Sequence, residues 1–355
     1  MKSPAVASAR QSIREAFAHD WTRFRARTAL LCLPVIGVLL VAGLLMDAKA
    51  EAVIAAGGAL TVGFGAYRQI SQWPPAAMVL AAVGIAVSAW IGCVAGLSPW
   101  ALIPVAGLWA GLCALLTTLD AAAWWIVLQW AIAMFIAGYY PAGPVEATAR
   151  AGLVLAGGLT QAFVMSVLQR RWPEADAMPG PWSWTRASSH LIGALTWSSA
   201  LGRYAVRACV AVMIATAIER SFGLSNGYWA PMTALVVLKP TMRETSARTL
   251  QRLAGTLAGA GLITVVAHVL VLPPTGLVAL VLLFAWLSFA LQFVNYAAFT
   301  TSITAYVVLL LAIADAPEAE SAHHRILATG IGAGVSFCVD YASWWIMRRS
   351  GALQA

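Results

Sequence analysis

Apolar residues run continuously along most of this chain, broken at intervals by short stretches of charge, Pro and Gly. They do not alternate with polar residues, which argues for helices and against the strands of a barrel. A helix needs about 20 mostly apolar residues to cross the hydrocarbon core of a bilayer. By that measure the pattern predicts twelve spans, at 28–46, 52–67, 76–96, 100–117, 121–140, 147–168, 204–221, 227–241, 251–272, 275–292, 295–314 and 324–347. The second and eighth are short. The predicted fold class is an all-α polytopic membrane protein.

The spans fall into two blocks of six at a spacing of about 175 residues. Trp21 and Arg27 precede the first span, and Trp197 and Arg203 the seventh. Arg68 follows the second and Arg243 the eighth. Arg150 opens the sixth and Arg325 the twelfth, and the pairs Arg170-Arg171 and Arg348-Arg349 close the two blocks. Gly157-Gly158-Leu159-Thr160-Gln161 resembles Gly332-Ala333-Gly334-Val335-Ser336. Chance likeness among helices rich in Ala and Gly is the plainer account, but charges match as well as hydropathy. An even number of spans gives both blocks one orientation, so the expected symmetry is a pseudo-twofold axis along the membrane normal. The expected organisation is an amphipathic interfacial segment over 1–27, a six-helix repeat over 28–171, a cytoplasmic linker over 172–203 and a second repeat over 204–350. In the first segment Ile13, Phe17, Trp21 and Phe24 recur at helical steps between arginines. In the linker Trp172-Pro173 and Pro179-Gly180-Pro181 break helix.

Composition agrees with this reading. The chain is 61% hydrophobic and 10% charged, with a mean hydropathy of +0.80 and 16 Trp, a residue that anchors at membrane interfaces. Of its Lys and Arg, only Lys49 and Arg220 fall in the outer loops that twelve spans define, while Arg150, Arg207 and Arg325 lie inside or at the edge of spans. The outer loops carry Asp47, Glu51, Glu146, Glu219, Asp315, Glu318 and Glu320. This is the positive-inside pattern, with both termini cytoplasmic in a bacterial inner membrane. The net charge of +8 therefore implies membrane lipid as a partner and requires no nucleic acid. No cleavable signal peptide is expected, because the first 27 residues are polar and basic. The five cysteines lie in apolar runs and read as small hydrophobes. No GxSxG, HExxH or Walker pattern occurs, and His323-His324 near Glu320 reads as a solvated patch. Neither an enzyme, a cofactor nor a metal is expected, and active transport would draw on an ion gradient or a partner.

The most specific local signal is Asn226-Gly227-Tyr228-Trp229-Ala230-Pro231-Met232-Thr233, continuing through Leu238-Lys239-Pro240 to Arg252-Leu253-Ala254-Gly255-Thr256-Leu257-Ala258-Gly259. It resembles the fusaric acid resistance (FUSC) or aromatic acid exporter family, whose hallmark is a Tyr-Trp-x-Pro-x-Thr span, a Pro at the inner end and an Arg-x-x-Gly-Thr-x-x-Gly helix start. Lys239 stands where such proteins more usually carry a neutral polar residue. The first block keeps Gly57-Gly58-Ala59-Leu60-Thr61 but lacks the Tyr-Trp-x-Pro element. The large cytosolic region of longer members has no counterpart in these residues. The resemblance implies export of aromatic or other organic acids, with a small organic anion as substrate. A more distant likeness to plant aluminium-activated malate transporters implies an anion pathway between two six-helix units.

Candidate residues follow from both sources. Arg150 and Arg325 are repeat-related and together offer a two-arginine carboxylate site, since a guanidinium fork accepts both oxygens of one acid. Taken singly, Arg150 pairs more simply with Glu146, and either snorkels to headgroups. Trp229 and Tyr228, with Phe299 and Trp125, are candidates to stack on an aromatic acid, against ordinary packing. Pro231 removes a backbone bond within its span, and Thr233 supplies a hydroxyl there. Gly255 and Gly259, like Gly107 and Gly111, form small-residue pairs that pack helices. Arg248 and Arg252 read as topological charges at the inner rim. Asp340 and Arg207 lie at similar depth and form a buried pair, or else Asp340 carries a proton. Export competes with two alternatives, a passive anion channel and a non-transporting scaffold or assembly subunit. A homo-oligomer or a periplasmic adaptor stays open.

Overall fold

A computed structural model describes residues 17–71, 73–117, 120–172, 199–270, 273–314 and 318–349. The linker over 173–198 and the first sixteen residues lie outside the described residues. The α-helices in chain order are α1 (Ala26–Leu31), α2 (Leu33–Leu45), α3 (Lys49–Gly63), α4 (Ala76–Ala95), α5 (Pro99–Leu116), α6 (Ala121–Tyr139), α7 (Pro144–Arg171), α8 (Ala200–Phe222), α9 (Trp229–Val237), α10 (Met242–Val269), α11 (Pro274–Leu291), α12 (Tyr296–Ile313) and α13 (Glu318–Arg349). No strand occurs among the described residues.

Ten of these helices, α3 being extended by a 3-10 turn to Tyr67, are long and apolar enough to cross a membrane, or eleven when α1 and α2 count as one bent span. The expectation of twelve full spans is corrected at two places. The first span is broken at Cys32 with a bend of 46°, because Pro34 opens α2 and has no N–H to donate back to the preceding turn. The eighth is helical only over Trp229–Val237, about 14 Å at 1.5 Å per residue. The amphipathic helix expected near the start is likewise absent from 17–25, where Asp20 caps a single 3-10 turn, Trp21–Arg23.

Helix starts follow familiar capping chemistry. Asp120 accepts from the amides of Ala122 and Ala123 at the head of α6. Asn295 does the same for Ala297 and Ala298 at the head of α12, at the 175-residue spacing. Thr241 Oγ1 accepts from the Glu244 amide (3.3 Å) at the head of α10.

The order of neighbours recurs along the chain. In the first block α4 packs on α6 and α7, α3 on α7 and α2, and α5 on α6. In the second α10 packs on α12 and α13, α9 on α13 and α8, and α11 on α12. The blocks meet crosswise, α8 on α5 and α1–α2 on α11. The two large hydrophobic cores therefore draw on both blocks. One joins Ile36, Leu40 and Val62 to Phe289 and Leu309; the other joins Ala110 and Cys113 to Ala208, Val212 and Trp229. Close approach depends on missing side chains. A Cβ on Gly157 would lie 2.0 Å from the Ala55 carbonyl oxygen, and one on Gly332 would lie 2.3 Å from that of Ala230.

Those two contacts sit on backbone, which cannot swing aside. Gly332→Ala is expected to lower the thermal unfolding midpoint in detergent, by the about 1–3 kcal/mol typical of overpacking. Gly334→Ala, two residues on and facing open space, is expected to leave it unchanged or slightly raised. Equal midpoints for the two variants would contradict the packing described.

Candidate functional site

The short helix α9 is set by its flanks. Gly223 ends α8 in the left-handed region (φ 57°), and Asn226 repeats that conformation (φ 53°), so the chain turns back sharply. The Asn226 amide donates to Tyr139 Oη (2.8 Å), and the Tyr140 hydroxyl donates to Asn226 Oδ1 (3.1 Å). The helix then opens at Trp229. Pro231 falls in its first turn, where the missing N–H breaks no helical ladder. The sequence expectation of a bond lost within a span is corrected on that point. At the other end Pro240 disfavours helix at Lys239, and Leu238 is extended. The Leu238 carbonyl accepts from the Tyr204 hydroxyl (3.0 Å), and that of Pro240 from Arg207 Nη2 (2.9 Å). Lys239 reaches over the ring of Trp124 at 5.2 Å.

Against this helix lies Arg325 of α13. Its guanidinium is 3.5 Å from the centroid of the Trp229 ring, and the residue is only 1% exposed. Nε, Nη1 and Nη2 are all buried without a hydrogen-bond partner. Arg252 of α10 is also buried, with Nε unpartnered, and close enough to repel Arg325. Among the described residues, no carboxylate pairs with either. The indole face offsets part of the cost of burying the charge, but a ring supplies no acceptor for five N–H donors.

Buried hydroxyls recur at helical spacing on the helices that carry and adjoin the two arginines. Trp229 and Thr233 on α9, Arg252 and Thr256 on α10, Thr300 and Thr304 on α12, and Arg325 and Thr329 on α13 are each i, i+4 pairs on mutually packed helices. All five threonine hydroxyls are buried and unpartnered, as are those of Tyr296 and Tyr306. The arrangement is a buried, cationic, donor-rich interior. At the 175-residue spacing the first block has Ile54, Gly58, Ala77, Ala81, Trp125, Gln129 and Val154, which are apolar but for one amide. Only Arg150 keeps its type there.

Arg150 is placed differently from Arg325. It is partly exposed, pairs with Glu146 at 2.5 Å and donates to the Tyr140 carbonyl at 2.8 Å. The two arginines do not touch. Aromatic rings connect them instead, Tyr140 to Tyr228 at 6.3 Å and Tyr228 to Trp229 at 4.9 Å. Of the sequence candidates, Arg325, Trp229, Tyr228 and Thr233 thus come together, and Arg150 stands at the far end of the ring series. Phe299 and Trp125 lie elsewhere, Phe299 against Phe64 and Trp125 against Gly65. Gly255 and Gly259 sit over the Ala297 and Thr301 carbonyls of α12, at 2.5 Å from an added Cβ in both cases. Arg252, read from sequence as a rim charge, is instead inside. Its signal was the Arg-x-x-x-Thr spacing shared with Arg325-x-x-x-Thr329.

Asp340 and Arg207 form a buried ion pair that joins α13 to α8. Asp340 Oδ2 is buried without a partner. One turn away, Ser336 Oγ donates to the Ala234 carbonyl (3.0 Å). Among the described residues, no group of three or more His, Cys, Asp or Glu is arranged to hold a metal.

A family model described as fusaric acid resistance protein-like matches residues 210–339. This part of the chain is similar to that family. The match takes in α9 and every member of the Arg325 cluster. An uncharacterized protein of Haemophilus influenzae is 32% identical over 157 residues, which is 43% of this chain and 21% of that protein. The inner membrane protein YccS of Escherichia coli is 32% identical over 170 residues, 47% of this chain and 23% of its own length. The chain thus matches less than a quarter of the length of either relative. No solved structure matches. The chain is a multi-pass membrane protein that is similar to the fusaric acid resistance proteins over residues 210–339.

Arg325, without a partner, and Arg207, paired with Asp340, predict opposite stability effects. Arg325→Met removes an unpartnered charge, so the ligand-free protein is expected to melt no lower than wild type, and higher by up to about 1–4 kcal/mol. Arg207→Met strands Asp340 and is expected to cost about 3–5 kcal/mol. Thermal unfolding in detergent reads both, and an equal loss in the two variants would mean that Arg325 has a partner within the protein.

Proposed function

We propose that this protein is a membrane transporter that exports organic acids, aromatic carboxylates foremost, past Arg325. The observation that carries this reading is the buried guanidinium lying on Trp229 with no acceptor of its own. A carboxylate supplies two acceptor oxygens to such a fork, an aromatic ring on the same molecule stacks among Trp229 and Tyr228, and the threonine hydroxyls donate to what remains. The small cation-binding capacity of an indole does not hold an arginine in a bilayer by itself, so the site is built for an anion that comes and goes.

In this reading the chain is two six-segment repeats, 28–171 and 204–350, about a pseudo-twofold axis along the membrane normal, with both termini cytoplasmic in a bacterial inner membrane. The recurring order of helix neighbours and the crosswise packing support it. So does the name of YccS, an inner membrane protein. The anion path runs where the second repeat's polar interior meets α3 and α6 of the first. Arg325, Trp229 and Thr233 are all buried, so a substrate reaches them only when helices part. This favours alternating access over a permanently open channel. The unpartnered Oδ2 of Asp340 makes that carboxylate the candidate for proton coupling.

The test is flux of labelled benzoate into proteoliposomes, with and without a pH gradient. Arg325→Gln is expected to reduce flux at least about tenfold, because one charge-assisted pair contributes more than a factor of ten. Arg150→Gln, whose side chain is already paired, is expected to stay within about threefold. Equal flux in wild type and Arg325→Gln would contradict the site. Flux that follows voltage and ignores the pH gradient would point to the channel. No flux of any acid by folded protein would favour the scaffold.

A further inference from the structure

A second collection of arginines lies far from Arg325 in sequence and serves no part of the path described. A cavity of about 410 Å³ opens at one end of the first block. Arg23 and Arg25 of the entering chain, Arg68 at the end of α3 and Arg170 in the last turn of α7 line it, with Trp172 and Phe293 as apolar walls. Among the described residues, no carboxylate lines it. Arg23 is partly neutralised, because its Nε pairs with Asp20 Oδ2 at 2.8 Å. The Thr22 hydroxyl, then Arg23, keep that carboxyl below its usual range. Arg68 lies 5.2 Å from the centroid of Phe293, and its Nε is buried without a partner.

Like charges do not gather round a cavity without cost. Their mutual repulsion falls away when an anion fills the space. The depth of the cavity narrows the class of anion. Trp21, Trp73 and Trp172, adjacent to or part of its lining, are 63%, 54% and 45% exposed. Exposed tryptophans at a helix end mark the headgroup level of a bilayer. On the orientation proposed above this is the inner leaflet, where anionic headgroups concentrate. The volume falls within the range of small-ligand sites, and forked guanidinium groups suit the several oxygens of a phosphate.

We propose that the cavity lined by Arg23, Arg25, Arg68 and Arg170 is a binding site for a phosphate group, carried by an anionic phospholipid headgroup or by a free phosphate ester. The site is separate from the Arg325 cluster and is read by binding, so its test does not depend on any flux.

The test uses the full chain, delipidated in neutral detergent and titrated with short-chain phosphatidylglycerol, short-chain phosphatidylcholine and inorganic phosphate. Wild type is expected to bind phosphatidylglycerol and not phosphatidylcholine, with affinity falling as salt rises. The double variant Arg68→Gln/Arg170→Gln is expected to bind at least about tenfold more weakly. Arg68→Lys/Arg170→Lys, which keeps the charge, is expected to lose less than the Gln pair, and Arg27→Gln, an exposed arginine outside the cavity, to bind as wild type does. Binding of inorganic phosphate without phosphatidylglycerol would support the site with a free phosphate ester as its source. No binding of either by wild type, binding by the Gln pair equal to wild type, or equal loss in the Gln and Lys pairs would overturn the proposal.

Discussion

A guanidinium carries five N–H donors, and inside a lipid-embedded bundle each must find an acceptor or remain unsatisfied at considerable cost. Arg325 finds none in this protein. What it has is the face of Trp229, and the features that bring Trp229 there form the most distinctive part of the fold. Gly223 and Asn226 turn the chain back, Tyr139 and Tyr140 hold the turn, and Pro231 sits in the first helical turn. Lys239-Pro240 then stops the helix before it spans. The turn before this helix thus sets one aromatic ring against one arginine.

The two blocks share an order of helix neighbours but differ inside. Gly157 over Ala55 and Gly332 over Ala230 repeat the same backbone contact, and Asp120 and Asn295 cap corresponding helices. The first block fills the positions related to the arginines and threonines with Ile54, Gly58, Ala77, Ala81 and Val154. It reads as the packed partner of a polar second block. Two of its own arginines, Arg68 and Arg170, line a separate cavity with Arg23 and Arg25 of the entering chain. The molecule thus handles positive charge in three ways, as pairs (Arg207 with Asp340, Arg150 with Glu146), as a rim cluster and as an unpartnered interior.

Helix content and membrane character were legible in the sequence because continuous apolarity has few other physical meanings. The motif around Trp229 was legible as well, and its family likeness is found again over residues 210–339. The half-length helix was harder to see, since hydropathy averages over Asn226-Gly227 and Lys239-Pro240 and returns a short span. The break at Cys32 was hidden in the same way, by one Pro34 within an apolar run. Arg252 was misread because a charge near a basic rim has a sufficient topological explanation. Thr233 was named from its motif, but Thr256, Thr300, Thr304 and Thr329 were missed because a hydroxyl scarcely changes hydropathy, and in an isolated helix it bonds back to its own turn. Only the packing of α9, α10, α12 and α13 shows five such hydroxyls left without that bond.

The central claim is that Arg325 waits for a carboxylate. Calorimetric titration of the purified protein with benzoate, wild type beside Arg325→Met, tests it most directly. The account predicts measurable binding to wild type and at least about tenfold weaker binding to a variant that is still folded. Equal binding by the two proteins would show that the anion, if it is carried at all, is held somewhere else.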